Sequence, residues 1–349
     1  MTSDAEPGRR VRIGLAGYGF GGRYFHAPLL ASSDLIDFTG VVTTAPARRQ
    51  QVADEHGVPC FDDLAALVAA GAEAVAISTP ADTHAPLSIE ALGLGLHVIC
   101  DKPFALDAAS AAEVAEAATA AGRLVVPFQN RRWDSDLLTV QSVLAGGTIG
   151  EVHRFESRFE RFESQATLPS AGGGIRLDFG SHLVDQALHL FGPVASVYAE
   201  TGPTGHQPTR EVYFFAALRH TGGVLSHLYG DWVQGAPEAR FRLTGSEGSY
   251  VVGPGMDGQE AELIAGRSPA TAGATWGTEP EAAWGWRQRG DERTPVPSQR
   301  GRWDVLYDGF ARSVRDGTPP PVAVADAIAA LTVLDACAES ARTGHSVVL

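Results

Sequence analysis

A chain of 349 residues has room for about two domains of ordinary size. Its formal net charge of −14 argues against nucleic acid or an anionic membrane as partner, because both call for a basic footprint, and no apolar run approaches the roughly 18 residues of a membrane span. Hydrophobic content of 44% and charged content of 19% are globular values, while Cys60, Cys100 and Cys337, odd in number and in no metal spacing, read as reduced thiols; with no apolar signal core in Met1–Arg12, a cytoplasmic protein acting on a small molecule is expected.

The first predicted element is a buried strand, Val11–Ala16. Gly17-Tyr-Gly19-Phe20-Gly21-Gly22 follows it with G-x-G-x-x-G spacing, and a helix opens near Gly22. Such a turn brings a backbone close to a pyrophosphate at the positive end of a helix. The competing reading is an ordinary glycine-rich turn; a strand before it and a helix after it favour the dinucleotide. Phe38–Thr43 is the next strand. It ends Val41-Val42-Thr43-Thr44 with no acid until Asp54, whereas NAD would want a carboxylate there for the ribose. Arg48 and Arg49 follow in the helix Ala47–His56, so NADP is expected, with NAD left open; the alternative makes both arginines solvated surface charges. Strands at Ala74–Ile77, Val98–Cys100 and Leu124–Phe128 alternate with helices at Ala85–Leu94 and Ala108–Ala121. That alternation implies a parallel sheet covered by helices on both faces.

The second of these strands, Val98–Cys100, leads into Asp101-Lys102-Pro103. Of the 27 lysines and arginines in the chain, Lys102 is the only lysine. Arginine replaces lysine wherever a surface needs charge, but not where chemistry needs a compact ammonium with a movable pKa. Lys102 is therefore a catalytic candidate, against the chance survival of one lysine.

After about Gly150 the pattern changes. Val152–Phe162 alternates charged and apolar residues, as a half-exposed antiparallel strand would. Val212–Leu218 and Val224–Tyr229 flank Thr221-Gly-Gly, and Phe241–Leu243 and Tyr250–Val252 flank Gly245–Gly248, two hairpin signals. Between Val152–Phe162 and these hairpins stands a predicted helix following Gly172-Gly-Gly. Asp178, His182, Asp185 and His189 fall on one face of it. This face suits a general base, His182, oriented by polar neighbours, or a simple polar face capped by Asp178; a metal site ranks last, since no cysteine or H-E-x-x-H frame supports it. The Gly/Pro-rich stretch 253–299 carries Trp276, Trp284 and Trp286 and is either a functional flap or an ordered excursion over the sheet. Helices at Trp303–Arg315 and Ala323–Arg342 close the chain.

In combination, Gly17–Gly22, Ser78-Thr79-Pro80 with His84, Asp101-Lys102-Pro103 and Asp178-x-x-x-His182 resemble, in order, the signature of the Gfo/Idh/MocA oxidoreductases. Phe25-His-Ala-Pro-Leu-Leu30, Gln129-Asn-Arg-Arg-Trp-Asp134, Asp257-Gly-Gln-Glu260 and Trp276-Gly are similar to the NADP-dependent scyllo-inositol dehydrogenase subgroup. The resemblance implies an α/β chain: a Rossmann domain over 1–129, then an α+β domain over 130–349 with a large, mostly antiparallel open sheet. The helices within 303–342 are free to pack back on the first domain. It also implies a homodimer or homotetramer formed through that sheet. Lys102 would bind the substrate oxygen beside the nicotinamide, His182 would be the general acid/base and Asp178 would position substrate. Gly17, Gly19, Phe20, Gly22, Thr43, Thr44, Arg48, Thr79, Pro80, His84 and Asp101 would hold the cofactor, and Asn130, Arg131 and Trp133 would face the substrate, with no metal. Two departures stand out: Asp101 replaces a common glutamate, and Thr44-Ala-Pro-Ala delays the arginine to Arg48. The activity implied is hydride transfer with the alcohol or ketone of a cyclic polyol or sugar. The alternatives are a ketoreductase of a specialised pathway and a non-catalytic dinucleotide sensor.

Overall fold

The computed structural model describes residues 8–162, 173–203 and 211–349. Most of the Met1–Arg12 segment and Gly172, both used above, lie outside them. The first sheet holds β1 (Val11–Ala16), β2 (Ile36–Val42), β3 (Cys60–Phe61), β4 (Ala74–Ile77), β5 (His97–Cys100) and β6 (Val125–Pro127), all parallel in the order β3-β2-β1-β4-β5-β6. Helices α1 (Ala27–Ser32), α2 (Pro46–His56), α3 (Leu64–Ala69), α4 (His84–Gly93) and α5 (Ala108–Ala121) connect them. The central strands are nearly continuous apolar runs because helices bury both of their faces. Asp63 and Asp107 start α3 and α5 by accepting the backbone N–H of Ala66 and Ser110. The chain order reverses between β1 and β4, which opens a crevice at the carboxyl ends of the strands. The Gly17–Gly22 turn, the Ser78–Pro80 loop and the Asp101–Pro103 turn all emerge there.

A helix the sequence pattern did not single out, α6 (Ser135–Ala145), leads to the second sheet. This sheet contains β7 (Val152–Glu160), β8 (Val194–Gly202), β9 (Tyr213–His220), β10 (Leu225–Asp231), β11 (Phe241–Gly245), β12 (Gly248–Val252), β13 (Gly285–Arg289), β14 (Glu292–Val296) and β15 (Val347–Val348). Their order is β14-β13-β12-β11-β7-β10-β9-β8-β15. All pairs are antiparallel except one. β7 pairs antiparallel with β11 but parallel with β10, which corrects the purely antiparallel expectation for Val152–Phe162. The physical reason is the crossover: α7 (Gly174–Phe191) and the β8–β9 pair intervene, so the chain returns to β7's flank running in the same direction. The apolar positions of β7 alternate as expected, with Phe155 and Phe159 buried and Arg154 exposed, but the charged Arg158 is buried as well. Helices α7 and α11 (Val324–Thr343) cover one face of the sheet, packing against β8, β9 and β10.

Residues 253–299 form an ordered excursion: α8 (Gln259–Ile264), α9 (Pro269–Ala272) and the β13–β14 hairpin, with Trp276 fully buried. Both terminal helices pack back on the first domain. α10 (Asp304–Asp316) does so through Leu306, Tyr307 and Phe310, which join the core of Val11, Ile13 and Leu15. α11 bridges the domains, lying against α7 and β8 on one side and α5 and β6 on the other. No helix among the described residues is long and apolar enough to cross a membrane.

Candidate active site

The turn after β1 is shaped by what its glycines leave out. Gly17 has φ +94°, and a Cβ there would lie 2.2 Å from the Ser78 carbonyl oxygen. A Cβ on Gly22 would lie 2.3 Å from the carbonyl oxygen of Gly17, so the third glycine lets the helix close on the turn. Gly19 is different: nothing lies within 4 Å of a Cβ built on it. It borders an open groove lined by Gly17, Gly19, Phe20, Gly21, Arg48, Ser78, Thr79, Pro80 and Asp101. Such a cradle, floored by backbone and glycine at the switch point of a parallel sheet, fits a dinucleotide pyrophosphate. Phe20 stands over it, 58% exposed.

The groove runs into a larger cleft of about 430 Å³, sharing with it Phe20, Gly21, Thr79, Pro80 and Asp101. Here the two domains meet. The turn after β5 supplies Lys102 and α7 supplies Asp178 and His182. The helical turn 130–133 brings Asn130 and Arg131, and β7 with the residues after it brings Phe159 and Arg161. Lys102 Nζ donates to Asp178 Oδ1, with both side chains about one-quarter exposed. His182, only 4% exposed, has no hydrogen-bond partner for Nδ1 among the described residues. Burial and the cations Lys102, Arg131, Arg240 and Arg161 hold its pKa well below the ordinary value, so the ring is neutral and ready to accept a proton. Phe159 stacks on Phe179 at 3.8 Å between centroids, and with Phe128, Trp232 and Trp303 these rings give the cleft an apolar wall.

Asp101 lies behind the lysine turn. It accepts the backbone N–H of Lys102 at 2.7 Å and the Ser78 hydroxyl at 2.8 Å, and His26 Nε2 is 3.2 Å away. The Tyr307 hydroxyl of α10 bonds His26 Nδ1 at 2.6 Å. Burial alone would raise the pKa of Asp101, but His26, His84 and Lys102 overcome it and keep the carboxylate ionised. The shorter acid in place of glutamate therefore does not reach the ammonium; it shapes the turn that carries it.

Several of the expected residues take other positions. Thr43 is buried and gives its carbonyl to Arg49 Nε, and Thr44 is exposed; neither lines the groove, whereas Arg48 does. Arg49 also pairs with Asp62. Trp133 is absent from the cleft wall. Its side chain packs against the core cluster of the first domain, and its carbonyl takes the Arg302 N–H and the Gln259 amide. The helix face of Asp178, His182, Asp185 and His189 is divided among partners rather than gathered on one ion. Asp185 forms a two-point pair with Arg132 at 2.7 and 2.9 Å, and His189 bonds Gln141.

Arg161, Arg240 and Phe179 were not legible as site residues. Arg161 and Arg131 both bind Glu260 of α8, and together they hold that carboxyl down to about 2 against the effect of burial. Arg240, 1% exposed, bonds Ser157 Oγ at 2.8 Å and Gln186 Oε1 at 2.9 Å, one turn along α7 from His182. The one available signal was the Asp257-Gly-Gln-Glu260 segment.

Comparison with known proteins agrees with this fold. Residues 11–128 match the oxidoreductase family described as having an NAD-binding Rossmann fold, and residues 137–251 match the GFO/IDH/MocA C-terminal domain. The chain is 33% identical to the uncharacterized oxidoreductase YdgJ of Escherichia coli (strain K12) over 95% of this chain and 96% of that one. It is 29% identical to the scyllo-inositol 2-dehydrogenase (NADP(+)) IolW of Bacillus subtilis (strain 168) over 97% and 96%. The solved structure of the oxidoreductase yvaA of Bacillus subtilis superposes with a TM-score of 0.90 at 27% identity, covering 99% of both chains.

Proposed function

The chain belongs to the Gfo/Idh/MocA family of NAD(P)-dependent oxidoreductases, and from that footing we propose that it transfers a hydride between NADP and a secondary alcohol or ketone of a cyclic polyol or sugar. One observation carries this reading: Lys102 paired to Asp178 and a neutral, buried His182 share one cleft that opens into the glycine-floored groove. A bound nicotinamide dinucleotide supplies the hydride acceptor or donor. The chain's residues supply the rest. His182 accepts the hydroxyl proton as the alcohol is oxidised and returns it in the reverse direction. The Lys102 ammonium stabilises developing alkoxide charge, and Asp178 fixes its direction. The aromatic wall limits water. Arg48, exposed at the groove and free of any ion pair among the described residues, is the group suited to a 2′-phosphate.

The balance of charges in the cleft favours a neutral, hydroxyl-rich ligand. Lys102 faces Asp178, Arg131 and Arg161 share Glu260, and Arg131 also pairs with the buried Asp134, so three cations meet three carboxylates and donors and acceptors are both offered without a surplus cation for an anionic group. The scyllo-inositol dehydrogenase relative supports an inositol-like ring. A ketoreductase acting on a cyclic ketone is the same chemistry run backward; a non-catalytic sensor would have no use for Lys102 and His182. The outer face of the second sheet, with Arg154, Glu156, Arg158, Tyr229 and Arg242, is the surface we assign to self-association, in a cytoplasmic homodimer or homotetramer.

The test is a panel of inositols, aldoses and keto-sugars with NADP(H) and NAD(H), followed at the reduced-nicotinamide absorbance. Turnover of at least one cyclic polyol or its ketone, faster with the phosphorylated cofactor, is expected. Tight NADPH binding without turnover of any panel member would overturn the enzyme reading in favour of the sensor.

A further inference from the structure

His84 is the first residue of α4 and is 2% exposed, yet both of its ring nitrogens face carbonyl oxygens. Nδ1 lies 2.7 Å from the Pro103 oxygen and Nε2 lies 2.9 Å from the Thr79 oxygen. A neutral imidazole carries one N–H and one lone pair. Either tautomer would aim that lone pair at a carbonyl oxygen inside a buried site, which is repulsive and leaves a polar atom unsatisfied. Only the imidazolium donates in both directions.

We propose that His84 is a resident imidazolium, a buried cation that latches the cofactor loop after β4 to the turn that carries Lys102, and so acts as a positioning residue for the lysine. The two carbonyls belong to the two loops that flank the cleft: Thr79 opens one and Pro103 directly follows the lysine in the other. The Thr79 side chain is itself tied to Thr83 one turn away, so the latch joins the start of α4 to both loops.

The surrounding charges decide whether such a cation is tolerated. α4 contributes no acid in its first turn, and a helix N-terminus disfavours a cation there. From the turn after β5, Asp101 is the compensating anion, with Lys102 beside it as a like charge; the Cys100 thiol of β5 completes the shell. Burial opposes the charged form, but Cys100, Asp101 and the Pro103 carbonyl outweigh it and hold the imidazole up to about 10. The cation and the Asp101 carboxylate thus stabilise each other behind the wall of the cleft. Each also bonds the lysine turn at a different point: Asp101 at the N–H of Lys102, His84 at the carbonyl of Pro103.

The decisive measurement is NMR of the whole protein with 15N-labelled histidine, the His84 ring being assigned from the spectrum of His84→Gln or by through-bond correlation to its own backbone. The expected result is that both ring nitrogens carry slowly exchanging protons from pH 6 to 9. A ring nitrogen at the unprotonated shift at pH 7 overturns the proposal. The second arm is kinetic. His84→Gln offers an amide that cannot donate along both ring directions, so kcat is expected to fall at least tenfold while KM for the alcohol changes less than threefold. Unchanged kcat in a folded variant overturns the positioning role; where that variant does not fold, the wild-type spectrum decides. The kinetic arm rests on the dehydrogenase reading and the spectrum does not, so a silent substrate panel and a neutral His84 are separable failures.

Discussion

The two walls of the cleft are made by opposite means. On the cofactor side the working surface is backbone, exposed by glycines at 17, 19 and 22, while its charged groups, Asp101 and His84, are turned inward onto carbonyls and N–H groups of the loops. On the substrate side the surface is made of charged side chains delivered by α7, α8, β7 and the 130–133 turn, and each is held by an opposite partner. The difference teaches where change is permitted. Backbone donors do not depend on side-chain identity, so the glycine floor of the cofactor wall is altered only by filling it or straining it, while Arg48 at its mouth acts through its side-chain charge. The substrate wall is altered by any exchange of a side chain, with a large cost wherever a buried partner is left alone.

The largest expected effect lies where the two walls meet, at His182 of α7 and at Lys102 of the turn after β5. His182→Ala and Lys102→Ala should each lower kcat by roughly 10²- to 10⁴-fold, the range of a lost acid–base or charge-stabilising group, with the affinity for NADPH, read by fluorescence titration, nearly unchanged. Lys102→Arg is the stricter version, because a planar fork replaces a compact ammonium; full activity in it would remove the reason for the single lysine. A parallel loss of cofactor affinity in either alanine variant would erase the division between the walls. Next comes the cofactor side. Gly19→Ala adds a methyl that meets nothing within 4 Å in the protein, so thermal stability should hold while NADPH affinity drops by about tenfold or more, since the methyl occupies the close-approach position of the fingerprint. Gly17→Ala is its control: positive φ and a contact of 2.2 Å with Ser78 predict destabilisation of about 2 kcal/mol or more, visible as a lower Tm.

The same division explains what the sequence disclosed. The cofactor wall is local: glycine spacing, strand context and the Asp101–Pro103 turn lie within short windows, so a motif reads them directly. The substrate wall is assembled from residues far apart in the chain. Arg131 meets Glu260, Arg132 meets Asp185 and Asp326, and Arg240 meets Asp136 and Gln186. No periodicity or spacing encodes such pairs, and Arg161 looks like one more alternating charge on a strand. Asp185 and His189 share the helical face of His182, as their spacing requires, but their partners were invisible. Trp133 stands outside the cleft lining for a related reason: successive side chains of the 130–133 helical turn point about 120° apart, and the motif does not say which of them face the cleft. In the fold, the parallel sheet was legible from the alternation of short apolar strands with helices. The parallel β7–β10 pair was not, since it is set by the route of α7 and β8–β9 rather than by the strand's own pattern.

A smaller effect tests the mouth of the cofactor groove. Arg48→Ala removes a cation that lines the groove without an ion pair among the described residues, so the fold loses little. NADP affinity should fall roughly tenfold, the weight of a charge-assisted contact of about 1.5 kcal/mol, with NAD affinity unchanged. Equal losses for both cofactors would place the arginine on a shared part of the dinucleotide and return the choice between NADP and NAD to the Thr43-Thr44 strand end.

The smallest effect probes how the substrate wall tunes its base. Burial and four cations depress the pKa of His182, so the base is already deprotonated at neutral pH. The acid limb of kcat/KM for alcohol oxidation should therefore fall below about pH 6.5, the ordinary histidine value, and the base itself should add no inflection between pH 7 and 9. The linkage to stability has the same origin. Below about pH 6.5 the unfolded chain protonates this histidine and the folded chain resists, so stability drains from the folded state as the pH falls through that value and is fully present above it. His84 runs the other way: its raised pKa contributes stability that is fully present below about 6.5, drains as the pH rises from there, and is gone above about 10. Arg161→Gln separates the two. It removes one cation facing His182 and leaves Glu260 less compensated, and both changes favour the imidazolium, so the acid limb should move upward by a fraction of a pH unit. The alkaline loss of stability governed by His84, on the opposite wall, should stay where it is. A limb that moves downward, or an alkaline transition that moves with it, would mean that the walls are electrostatically one site.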